Sequence, residues 1–369
     1  MGSVRSRIPA TARALYTTLA ESRDPRVLSM VLLRQEVESE IASITERLFL
    51  SVERDLQQAR EDGELNPVPG AENEQARFDY DTRLVLPAML TLARIHVVAG
   101  DVPVSRAVGD VNRDLVAQGR ETTRNIVRAL LDGDMRDAIN DEEYEDFQTN
   151  LQPRPQVAEL AQESLQDDVE SWFDHEDTPE TVRTYYEHAV ELSERHQEED
   201  QTFRELLDNY REASADERTD AAEDIREQYK FADAESGEAL FGDEFEIPYF
   251  ATQYARVGIL YEDMLNMYEA DLGLDLGDGF KRAIVLMVIG AQIGLDDTDD
   301  YPEDKGTQLT PVTAELNIAD SRAEGVETLR RIVEAYLDRA AAAVDDHLTR
   351  IAIEYIREQS LDRIDGLRA

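Results

Sequence analysis

Apolar residues near the C-terminus recur at helical spacing. Val326, Leu329, Val333, Tyr336, Ala340, Val344, Leu348, Ile351 and Tyr355 follow one another at intervals of three or four. This spacing lines one stripe of an α-helix, and it predicts a long final helix from about Gly325. Val37, Ile41, Ile44 and Leu48 repeat the pattern upstream, in a helix that Gly63 ends. Further apolar helices are expected over 87–98, closed by Gly100, and over 104–131. No stretch alternates apolar and polar residues long enough to make a useful strand, and neither a GxGxxG nor a P-loop occurs. The expected fold is all-α, an antiparallel helical bundle forming one domain over 1–369. An enlarged acidic segment at about 132–243 is expected to be exposed helices and loops.

Charge narrows the function classes. The formal net charge is -43. Of the 38 basic residues only Lys230, Lys281 and Lys305 are lysine, leaving 35 arginines. The acid is spread along the chain, not gathered in one tail. In dilute buffer such a chain repels itself; at molar salt the Debye length falls to about 3 Å and the repulsion is screened. The expectation is a halophilic, cytoplasmic protein. Nucleic acid is not expected as a partner, because no basic face is available. The absence of cysteine excludes disulfides and thiolate metal sites. The first residues lack the apolar core of a secretory signal. The longest apolar stretch, 283–295, is too short to span a bilayer and is interrupted by Gly290, Gln292 and Gly294.

That stretch ends in Asp296-Asp297-Thr298-Asp299-Asp300. Asp296, Asp297 and Asp300 form a DDxxD pattern. Residues four apart share a helix face, so Asp296 and Asp300 could grip one divalent ion. Carboxylate oxygens suit hard cations such as Mg²⁺, and a cation held there would let a pyrophosphate approach the acids. Ordinary acid runs in this chain lie on polar helices, whereas this one closes the most apolar helix. His188 and His196 could share a face, but a third ligand for a metal site is missing. Trp172, Tyr185, Tyr186, Tyr249 and Phe250 read as packing residues. Asn317, Ser321 and Glu324 come near a terpene-cyclase metal motif and are read as a chance match.

The C-terminal region resembles the polyprenyl (trans-isoprenyl) diphosphate synthases of the class I isoprenoid synthase superfamily. The family's second aspartate-rich motif, roughly G-x-x-F-Q-x-x-D-D-x-x-D, is similar to Gly290, Gln292, Asp296, Asp297 and Asp300 here. Three residues separate Gln292 from the aspartate pair, where the family has two. Asp304-Lys305-Gly306-Thr307 and Leu309-Thr310-Pro311-Val312 resemble the segments that follow. Arg83 to Leu90, with Ala99-Gly100-Asp101, is similar to the family's K-x-x-R-P-x-L…G-G-D segment, although Leu86 stands where the family has arginine. No clean first DDxxD occurs; the nearest candidate is Asp132, Asp134 and Asp137.

The resemblance implies a Mg²⁺-dependent prenyltransferase acting on isoprenoid diphosphate substrates. Asp296, Asp297, Asp300 and Lys305 would be catalytic, with Lys305 on pyrophosphate oxygens. Gln292 and Arg83 would bind substrate, and Asp132, Asp134 and Asp137 would add metal ligands. A homodimer or a synthase partner is also implied. The degenerate first motif leaves an alternative open: a non-catalytic member that acts as partner or regulatory subunit of a prenyl synthase.

Overall fold

A computed structural model describes residues 27–80, 85–103, 110–140, 142, 144, 147–232, 238–242 and 246–368. These residues are mostly helical, as the periodicity predicts. Their contacts gather into two compact units assembled from separated stretches: an N-terminal unit of Leu28–Glu187 with Met264–Asp275, and a C-terminal unit containing His188–Asp263 and Leu276–Ala369.

The N-terminal unit is organised by α1 (Val27–Glu61). Its residues Leu33, Val37, Ile41, Ile44, Leu48, Val52 and Leu56 are all buried, so the repeat read from the sequence is its core stripe. Each such side chain stabilises the unit by roughly 1.5–3 kcal/mol relative to leaving it in water. Helix α2 (Leu86–Val98) is apolar on most of its circumference and starts with proline in its first turn. Helix α3 (Arg113–Asn140) packs on α2 and on α4 (Arg154–Phe173). The expected helix over 104–131 thus runs later, to Asn140; residues 104–109 lie outside the described residues. Short strands, which the sequence did not suggest, add two antiparallel ladders. In one, β1 (Asn66–Pro67) pairs with β4 (Leu151–Gln152); in the other, β2 (Phe78–Tyr80) pairs with β3 (Phe147–Thr149), placing Asp79 opposite Gln148. Phe78 stacks on Phe147 at 5.6 Å, so aromatic cross-strand packing supports ladders too short to stand alone.

Within the acidic segment the described residues are largely helical. Trp172 and Phe173 stack at 5.3 Å near the end of α4. Helix α5 (Glu180–Glu212) and helix α6 (Arg218–Ile225) follow, the latter continuing into a π-turn at Arg226–Lys230.

After α7 (Glu238–Phe241) comes α8 (Phe250–Gln253), which continues through a second π-turn at Tyr254–Gly258 into α9 (Ile259–Leu272). Helix α10 (Asp278–Ala291) is the centre of the C-terminal unit. Phe280, Ala283, Ile284, Val285, Leu286, Met287 and Ile289 are buried around it, the signature of a helix enclosed on most sides. A third π-turn, Gln292–Asp296, separates it from α11 (Asp297–Asp299) and α12 (Tyr301–Asp304). Thr310 opens α13 (Pro311–Ile318) with a capping box, its hydroxyl accepting from the Thr313 N–H at 3.2 Å.

The expected single final helix is two helices, α14 (Arg322–Ala343) and α15 (His347–Gly366). The apolar repeat continues across both, and for that reason it hides the break. Asp346 sets the restart: its carboxylate accepts from the Thr349 N–H at 2.8 Å and caps α15. Ser321 caps α14 in the same way through Glu324 N–H, which explains its place in the chance cyclase-like match. Among the described residues, no helix is long and apolar enough to cross a membrane.

Candidate functional site

The sequence suggests an apolar helix running straight into aspartates. The structure inserts the π-turn between them. The Asp297 N–H reaches back five residues to the Gln292 carbonyl, and beyond it the Asp300 N–H returns to the usual four-residue bond with the Asp296 carbonyl at 2.9 Å. Asp296 and Asp300 therefore do stand one α-helical turn apart. The same four-residue step continues, with the Asp304 N–H donating to the Asp300 carbonyl at 3.0 Å.

The turn packs closely against its neighbours. A Cβ on Gly294 would come within 2.4 Å of the Ser360 side chain on α15, and one on Gly290 within 3.0 Å of Leu337 on α14. At Gly294 only glycine allows so near an approach, whereas at Gly290 a Cβ would require Leu337 to shift by a few tenths of an ångström. The turn is thus packed closely on α14 and α15.

The aspartates have different fates. Asp297 is 3% exposed, Asp296 is half-buried, and Asp299 and Asp300 are exposed. Gln292 Nε2 donates to Asp297 Oδ1 at 3.3 Å, while Asp297 Oδ2 is buried with no hydrogen-bond partner. Burial pushes the Asp297 carboxyl up to about 7. Arg256, from the second π-turn, and Gln292 act against that rise, while Asp296 and Asp304 add to it. Asp304 is likewise pushed up to about 6, by burial first and then by Asp300, with Arg256 again opposing. Asp299 belongs to another arrangement: the Arg363 Nε meets its two oxygens at 3.0 and 2.9 Å. Lys305 is exposed.

Such a group can take up positive charge. One carboxylate oxygen is buried without a donor, and its neighbours raise its affinity for a proton or any other cation. Among the described residues, no three of His, Asp and Glu form a group that could by itself hold a metal ion.

No family model matches the chain, and no curated protein or solved structure does.

Three further site residues read from the sequence, Asp132, Asp134 and Asp137, lie in the N-terminal unit. Asp132 is fully buried and heavily bonded. Gln162 Nε2 donates to its Oδ1 at 2.8 Å, the Tyr186 hydroxyl to its Oδ2 at 2.6 Å, and Arg136 Nη2 stands 3.0 Å from Oδ2. Asp134 is half-buried and Asp137 exposed. On an α-helix, Asp134 points about 200° away from Asp132, so these two do not share a face. Arg83 lies outside the described residues.

Sequence reasoning missed Asp304, Arg256 and Thr298. Asp304 was open to discovery, since it extends the four-residue ladder from Asp296 through Asp300. Arg256 gave no local signal, because it comes from a different helix. His188 Nδ1 stands 2.6 Å from the carboxylate of the buried Asp263, while the side chain of His196 lies outside the described residues.

Proposed function

We propose that this chain acts in isoprenoid biosynthesis as a Mg²⁺-dependent prenyltransferase of the class I kind, using an allylic diphosphate in a salt-rich cytoplasm. The observation carrying this reading is the buried, donor-free Asp297 Oδ2 beside the ladder of Asp296, Asp300 and Asp304. Its support from the sequence is the resemblance of residues 290–312 to the polyprenyl diphosphate synthases.

Asp296, Asp297 and Asp300 would hold Mg²⁺ only together with water and the diphosphate's own oxygens, since they do not form a metal cage by themselves; the ion when bound would supply charge neutralisation for a departing pyrophosphate. Gln292 orients Asp297 through its Oδ1, leaving Oδ2 for the cation. Arg256 limits the repulsion among the carboxylates. Lys305 would contribute a charge-assisted contact to pyrophosphate oxygens. The packed surface of α10 and α14 keeps the base of the turn dry.

The deciding experiment measures pyrophosphate release from an allylic diphosphate in molar KCl, with and without Mg²⁺. Mg²⁺-dependent release that Asp297→Ala abolishes supports the proposal. A second reading, a non-catalytic partner of a prenyl synthase, is favoured by Asp132: its oxygens are already taken by three protein donors, so the degenerate first motif loses a ligand. That reading expects no release by the chain alone, and co-purification with an active synthase.

A further inference from the structure

Two side-chain hydrogen bonds frame the π-turn, and both span five residues. Gln292 Nε2 reaches Asp297 Oδ1, and the Thr298 hydroxyl donates to the Ile293 carbonyl at 3.0 Å. In a regular α-helix, residues five apart point about 140° away from each other, so Gln292 and Asp297 would not meet. Four threonines in the other helices show the ordinary pattern, while Thr313, in the first turn of α13, also reaches five residues back, to the Gln308 carbonyl at 2.9 Å. Thr45, Thr91, Thr122 and Thr123 each bond to the carbonyl four residues back. Thr298 is buried in α11, just past the widened turn, and its hydroxyl reaches back across the end of that turn to Ile293.

π-turns of this kind arise mostly as single widened turns inside α-helices and recur at functional sites. Here the widening has a definite consequence. Returning the segment to an α-helical path would rotate Asp297 by about 100°, one residue's step, away from Gln292 and off the face it now occupies. The turn is also held by the close approach of Gly294 to Ser360.

We infer that Thr298 is a positioning residue: its hydroxyl holds the Ile293 carbonyl, maintains the π-turn, and so keeps the free oxygen of Asp297 directed to the cation. This rests on the proposed function, because the cation and pyrophosphate are that reading's ligands. Thr298 itself touches neither. Its role is distinct from that of Gln292, which holds the carboxylate at its other oxygen.

The test uses the full chain in molar KCl, with Mg²⁺ and inorganic pyrophosphate as probes. Two quantities are measured: the Tm of the metal-free protein, and the Mg²⁺-dependent affinity for pyrophosphate. Removing a group that orients a metal ligand typically weakens metal affinity by about 10–100-fold. Thr298→Val should show a loss of that size in Mg²⁺-dependent pyrophosphate affinity, with metal-free Tm close to the parent's. Thr298→Ser, which keeps the hydroxyl, should restore binding. If the parent binds pyrophosphate with Mg²⁺ and Thr298→Val binds as tightly, the positioning role is overturned while the proposed function stands. If the parent itself shows no Mg²⁺-dependent binding, the proposed function fails first. Should Thr298→Val not fold, Thr298→Ser decides: parent-like binding supports the inference and lost binding overturns it.

Discussion

The two units each bury one aspartate at the heart of a candidate motif, and they treat it in opposite ways. Asp132 receives hydrogen bonds from Gln162 and Tyr186 and the guanidinium of Arg136. Asp297 receives one long hydrogen bond from Gln292 and keeps a bare buried oxygen. Burial of a carboxylate costs free energy in either place. In the N-terminal unit the local donors offset that cost, and the group acts as a fastener between α3, α4 and α5. In the C-terminal unit only Gln292 and the charge of Arg256 act against that cost, and burial still pushes the carboxyl up to about 7. Equal burial therefore does not mean equal role; the count of donors separates them.

The largest expected effect tests the fastener. Asp132→Ala leaves Gln162, Tyr186 and Arg136 without their shared acceptor, and breaking a buried, charge-containing network by removing one partner typically costs about 3–5 kcal/mol. Denaturant unfolding should show this loss, with the Mg²⁺ response unchanged in whatever protein remains folded. Parent-like stability together with lost Mg²⁺ binding would invert the comparison and make Asp132 a ligand.

A comparable effect tests the bare oxygen, through pH. The Asp297 carboxyl is raised from 3.8 to about 7, so the folded state holds that proton more tightly than the unfolded state does. Its contribution is fully present below about pH 4 and is lost as pH rises through about 7. A displacement of about three units at ~1.4 kcal/mol each sets an upper bound near 4 kcal/mol. Metal-free protein should lose stability across this window, and Asp297→Asn should flatten the profile. The half-buried Asp304, raised to about 6, leaves a smaller residual slope. Mg²⁺ should restore stability at the alkaline end in the parent and not in the Asn variant. Identical profiles for parent and variant would remove Asp297's special status.

The sequence made the helices legible because their burial is periodic: every α1 position singled out from the 3.6-residue repeat is in the core. It hid what does not alter that period. The break between α14 and α15 depends on Asp346 as a cap, and Asp346 is one acid among 81. The aspartate cluster was visible through its contrast with the apolar α10, yet the π-turn was not. The one hint was the extra residue between Gln292 and the aspartate pair relative to the synthase pattern. A widened turn is what places Gln292 and Asp297, five apart, on one face. Asp132 looked like a ligand because spacing shows where a carboxylate lies along a helix and says nothing of donors arriving from other helices.

The smallest expected effect concerns Asp299, which is identical in type to its neighbours and lies between them in sequence. Arg363 meets both its oxygens, and the two side chains are 34% and 46% exposed. A pair this open is worth at most about 1 kcal/mol, and less where salt screens it. Asp299 also stands about 60–100° around the helix from Asp296 and Asp300 by the 3.6-residue turn. Asp299→Ala and Arg363→Gln should therefore lower Tm slightly in dilute salt and hardly at all in molar KCl. Neither should change Mg²⁺-dependent pyrophosphate affinity. The two variants should also be non-additive, since each removes the same pair. If Asp299→Ala instead abolished Mg²⁺ binding as Asp297→Ala is expected to, carboxylate density alone would explain the site. The distinction between a partnered and an unpartnered aspartate, on which the contrast between the two units depends, would then carry no functional meaning.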